Sequence, residues 1–118
     1  ADEVLDVLRE CRRLGMIQVV WRAGMAGGPG YSLCNCCTDG CLPLLNRRVY
    51  PGYRFDAGPS VAVVGAGCTG CGDCVPLCPF GARAAGDAGP VAGCLGCGLC
   101  ADACPAGAVQ MRRRGNLP

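Results

Sequence analysis

Apolar residues recur at helical spacing at the start of the chain, where Val4, Leu5, Val7, Leu8, Cys11 and Leu14 share one stripe. Acids Asp2, Glu3 and Asp6 precede arginines Arg9, Arg12 and Arg13, and Gly15 follows, so the pattern predicts an amphipathic helix over residues 2–14. Cys11, on the stripe, reads as a small buried hydrophobe. Residues 16–21 predict an extended segment. Residues 23–30 carry too much Gly and Pro for regular structure and predict a connector or surface loop. Residues 42–55, with Arg47, Arg48 and Arg54 among Tyr50, Tyr53 and Phe55, read as a solvated loop whose aromatics cover a small core, in preference to a nucleic-acid surface. Farther on, apolar runs are short. A strand is expected at 61–64, extended pieces at 83–85 and 90–92 around a turn at 86–89, and a closing strand at 109–112. Single helical turns are expected at 75–78 and 101–104, each stopped by a proline.

This last region is a tandem. Cys68-x-x-Cys71-x-x-Cys74-x-x-x-Cys78-Pro79 returns 26 positions later as Cys94-x-x-Cys97-x-x-Cys100-x-x-x-Cys104-Pro105, and Phe80-Gly81-Ala82 is matched by Ala106-Gly107-Ala108. Such self-similarity marks an internal repeat. Three cysteines at intervals of three can wrap one iron-sulfur cube, and a fourth before proline reaches the other. Gly65-Ala66-Gly67-Cys68-Thr69-Gly70 after an apolar strand also fits a dinucleotide-binding fingerprint. Pro76 and Pro79 interrupt the helix this would need, and too little chain remains for a doubly wound sheet, so nucleotide binding is set aside.

Upstream, Cys34, Cys36, Cys37 and Cys41 place four thiols within eight residues around an Asp-Gly turn. They read as a third metal site, an iron-sulfur cluster in preference to zinc, with unligated structural or redox thiols as the alternative. Adjacent Cys36 and Cys37 point to opposite sides of an extended segment, so one is expected to face away.

Composition sharpens these readings. The 118 residues include thirteen cysteines, 20 glycines and 9 prolines, which leaves a modest core and makes metal the expected staple. Disulfides are the alternative for any cysteine-dense small chain, but the repeated spacing converges three sulfurs on one point and strains pairwise bridges. A reducing compartment, the cytoplasm, follows as the expectation. Net charge is +2, yet each four-thiolate cube carries about two negative charges, so a loaded protein is acidic by a few units. The lack of histidine excludes imidazole ligation and histidine-based catalysis. Residues 1–10 lack a signal-peptide pattern, and no apolar run is long enough to span a bilayer, so no membrane insertion is expected. The start at Ala1 reads as processing or as excision from a longer protein.

The repeat resembles bacterial dicluster ferredoxins over about residues 60–113. That resemblance implies a small α+β domain with pseudo-two-fold symmetry and two 4Fe-4S clusters. It assigns Cys68, Cys71, Cys74 and Cys104 to one cluster, and Cys94, Cys97, Cys100 and Cys78 to the other. A helix and cysteine-rich loop at 1–57 would then be an appendage to a ferredoxin-like domain at 58–118; this upstream part resembles ferredoxin-like proteins with a Cys-Asn-Cys-Cys segment. The expected function is electron transfer to a redox protein partner or complex, through a carrier rather than a self-sufficient enzyme. Two other readings are a reductive-activation component whose upstream cysteines bind or sense a substrate, and a zinc-bearing interaction module fused to a ferredoxin. Phe80 and Ala106 are expected near different clusters and make the two surroundings unequal.

Overall fold

Asp2–Arg13 forms helix α1, with acids in its first turn and arginines in its last. Arg9 pairs with Asp6 at 2.7 Å and Arg13 with Glu10 at 2.8 Å, but both pairs are solvent-exposed and add little. The helix stops where expected. The Gly15 N–H donates to Arg12 O (2.9 Å) and the Met16 N–H to Cys11 O (3.0 Å), a Schellman closure that Gly15 permits at φ 78°. These coordinates are a computed structural model, which describes residues 1–23 and 30–117.

The described residues fall into two units, Ala1–Tyr53 and Arg54–Pro118. In the first, strand β1 (Ile17–Ala23) pairs antiparallel with β2 (Gly30–Cys36), in register from Ile17 opposite Cys36 to Ala23 opposite Gly30. The expected connector shrinks, because its ends belong to the strands; its residues 24–29 lie outside the described residues. Ile17 is buried, and the Gln18 side chain ties α1 to the hairpin by donating to Leu8 O (3.1 Å) and Asn35 Oδ1 (3.2 Å). The apolar stripe of α1 is less covered than its period suggests. Val4, Leu5, Val7 and Leu14 are exposed, and Cys11 is half-buried rather than buried.

Two expectations in this unit need correction. Cys34 and Cys36 lie on β2, so the segment expected as a cysteine-rich loop is half strand. Residues 42–49 are helix α2 (Leu42–Val49), not solvated loop. Pro43 suits the first helical turn, where its missing N–H costs nothing, and Leu44 becomes the buried anchor. Arg47 and Arg48 then fall in the last turn, where positive charge meets the helix dipole favourably.

The second unit is built on β3 (Ser60–Val64), which lies between β4 (Gly89–Pro90) and β5 (Val109–Arg113) in an antiparallel three-stranded sheet. Ser60 faces Arg113, Val64 faces Val109, and Val63 faces Pro90. Ala62, Val64, Val91, Cys100 and Val109 form the core, with Cys68, Cys74, Cys94 and Cys104 packed around it. No helix opens after Gly65-Ala66-Gly67, which removes the dinucleotide fingerprint. Residues 83–85 are irregular rather than extended, and the second helical turn starts two residues earlier than expected, as α3 (Leu99–Asp102). Gly98, left-handed at φ 85°, sets that start. Arg114 closes the unit, donating through Nε to Gly58 O (2.9 Å) and through Nη2 to Cys94 O. Among the described residues, no helix is long and apolar enough to cross a membrane.

Candidate metal centres

All thirteen cysteines lie among the described residues, and none is paired in a disulfide. The repeat cysteines divide into two groups of four. Cys68, Cys71, Cys74 and Cys104 line one cavity, together with Pro105, Ala106 and Val109. Cys78, Cys94, Cys97 and Cys100 line a second, together with Phe80, Ala82, Val91 and Leu95. Each cavity therefore takes three cysteines from one loop and the proline-flanked cysteine of the other. Phe80 and Ala106 line different cavities, so their walls differ in bulk. Phe55 packs edge-on against Phe80, with ring centres 6.0 Å apart, and backs the second cavity.

The sulfurs sit among N–H donors. Ala62 N–H donates to Cys94 Sγ (3.4 Å) from the middle of β3, and Ala82 N–H to Cys78 Sγ (3.3 Å). Backbone N–H groups of Val109 and Ala108 hold the Cys104 thiol below its usual range. Burial has the opposite effect in the other cavity. It raises the Cys97 thiol, and it pushes Cys100 up to about 11 although the Arg83 charge works against it. Dry thiols of this kind resist ionisation alone, and a bound cation that takes their charge removes the penalty.

Arg83 was not singled out in the sequence. Its side chain is only 2% exposed, and it lines both cavities. Nη1 donates to Asp87 Oδ2 (2.8 Å) and Nη2 to Cys74 Sγ (3.0 Å). Nε is buried with no acceptor from the chain, which ordinarily costs about 1–3 kcal/mol. An orphaned donor beside eight thiols fits a sulfide-bearing group. The available signal was the repeat itself, because Arg83 occupies the register of Val109.

Among the described residues, no group of three or more His, Cys, Asp or Glu side chains is arranged to hold a single metal ion. Four thiolates around one zinc sit at about 2.3 Å from it, whereas a cube binds each thiolate through a separate iron and spreads them wider. In the first unit, Cys36 is buried and Cys37 exposed. Burial pushes the Cys36 thiol up to about 12, reinforced by a hydrogen bond with Cys41 and by the nearby Cys34 and Cys37. The Gly40 N–H donates to Cys37 Sγ at 3.2 Å.

Two cysteine-lined cavities with crossed fourth sulfurs and N–H donors define an iron-sulfur domain of the two-cluster type. Residues 67–109, little over a third of the chain, match the family model described as the 4Fe-4S dicluster domain. This region is dicluster ferredoxin-like, takes two 4Fe-4S clusters and serves iron-sulfur electron transfer. No curated protein and no solved structure matches the chain.

Proposed function

We propose that the protein is a low-potential electron carrier or wiring module for a redox protein partner. Cys68, Cys71, Cys74 and Cys104 hold one 4Fe-4S cluster, and Cys94, Cys97, Cys100 and Cys78 hold the other. The gathering of these eight thiols into two cavities of four carries the reading. The bound clusters supply one-electron reduction and reoxidation. The chain supplies thiolates, N–H donors that stabilise negative sulfur, and apolar walls from Val91, Leu95 and Val109 that keep water away. Glycines at repeat spacing share positive φ in three pairs, Gly70 with Gly96, Gly72 with Gly98 and Gly81 with Gly107. This supports a pseudo-two-fold ferredoxin domain at 58–118 with an appendage at 1–57. So many thiols suit the cytoplasm. Anaerobic titration of the full chain is expected to give at least two reversible one-electron reductions, those of these two clusters; a chain that loads iron but takes no electron refutes the assignment.

The appendage carries a third iron-sulfur centre on Cys34, Cys36, Cys37 and Cys41. The mutual closeness of these four thiols supports it. Metal analysis is expected to give about twelve irons per chain, falling to about eight in Cys36→Ala. About eight irons in the unmodified protein would exclude a third cubane, and stoichiometric zinc would replace it with a zinc module.

A further inference from the structure

The two halves of the repeat differ most in charge at one buried position. Val109, buried in β5, lines only the first cavity, whereas its counterpart 26 residues earlier, Arg83, lines both. Arginine keeps its proton under all ordinary conditions, so this is a permanent cation. Asp87 holds it in place, accepting from Arg83 Nη1 and from the Ala84 N–H, each at 2.8 Å, and thereby closes the turn after the first cysteine loop. One carboxylate does not use up the guanidinium. Nη2 reaches Cys74 Sγ at 3.0 Å, and Nε has no acceptor in the chain.

We propose that Arg83 is a positioning residue for electrons, a fixed cation that raises the reduction potential of the centre bound through Cys74 and makes the two centres unequal. This rests on the reading that the two groups of four cysteines hold the clusters. An added electron is stabilised by a nearby buried positive charge and by N–H donation to a ligand sulfur, both of which favour the more negative state. One electron enters, no bond forms or breaks, and no proton is taken up. Val109 offers no such charge in the symmetric position, so the asymmetry lies in the chain itself. A purely structural arginine, needed only to close the turn with Asp87, would alter stability and leave potentials where they were.

The test is a spectroscopically monitored redox titration of the full-length protein, purified anaerobically, with three variants. Arg83→Met removes the charge at similar length and is expected to weaken one reduction step about tenfold, a fall of about 59 mV for one electron. Arg83→Lys keeps the charge but not the forked donation, and is expected to recover part of that loss. Asp87→Asn keeps the acceptor oxygen and removes the opposing negative charge, so the same step should move to higher potential. Shifts of opposite sign in Arg83→Met and Asp87→Asn support an electrostatic role. Unchanged potentials in Arg83→Met, or shifts of the same sign in both variants, overturn it. If Arg83→Met does not retain its clusters, Asp87→Asn decides alone, and an unchanged or lowered potential there overturns the proposal. An unmodified protein without two reducible cubanes defeats the underlying cluster assignment instead, an outcome visible before any variant is made.

Discussion

Stripping iron from the loaded protein with a chelator is expected to unfold the second unit. Its buried hydrophobic residues are small: Val61, Ala62, Val64, Val91, Leu99, Cys100, Ala108 and Val109, with no buried aromatic among the described residues. The sheet gives little extra, since β4 has only two residues. Four of the side chains packed against the core cluster are cysteines that line the cavities. In a unit this small, binding free energy of metal is folding free energy. Hydrogen exchange followed by mass spectrometry is the measurement. Peptides covering residues 60–64 and 109–113 should fall to within about tenfold of denatured-chain exchange rates, an opening free energy of about 1.4 kcal/mol or less. Strong protection persisting in the iron-free chain would show that the sheet stands without its metal.

The second large effect is expected from one methyl group. Gly96 lies between Leu95 and Cys97 at φ 93°, and a Cβ there would sit 2.5 Å from the Ser60 carbonyl oxygen, the backbone start of β3. Neither side can yield easily. The Gly58 N–H donates to Leu95 O (2.9 Å), and Ser60 is paired with Arg113. Gly96→Ala must therefore push the loop carrying Cys94 and Cys97 off the sheet. Its repeat counterpart Gly70 provides an internal control, with φ 70° and nothing within 4 Å of the would-be Cβ. Gly70→Ala should cost only the left-handed backbone penalty, about 1–2 kcal/mol. Gly96→Ala should cost about 3 kcal/mol or more and release iron from one cluster first. Denaturant midpoints read from the visible absorbance, with iron counts beside them, make the comparison. Equal midpoints for the two variants would remove the contact with Ser60 as the cause.

Much of this architecture was legible because the strongest sequence signals act locally. The 3.6-residue period of α1 and its Gly15 stop needed no tertiary information, nor did the strands at 60–64 and 109–113. The repeat spacing fixes which cysteines share a loop, since two successive intervals of three leave little freedom. Other features depend on distant partners. Helix α2 has Pro43 at its start and Leu44 as its anchor, but its arginines and following tyrosines resemble a solvated surface until the burial of Leu44 is known. Strand β2 owes its existence to pairing with β1 across a glycine-rich stretch that discourages any local prediction. Arg83 was hidden for a different reason. An arginine in a loop is ordinarily a surface residue, and only the comparison with Val109 in the repeat register marks its position as interior.

The order in which the cavity walls occur along the chain also governs biosynthesis. Strand β3 is extruded from the ribosome long before its neighbour β5, and the first cavity acquires Cys104 some thirty residues after Cys74. A nascent chain that has just exposed Cys68, Cys71 and Cys74 thus presents three thiols and an unpaired strand edge with nothing to complete either. Such non-local closure is slow and leaves partly made chains prone to association. Productive assembly is consequently a property of the finished repeat, achieved after translation has passed both halves.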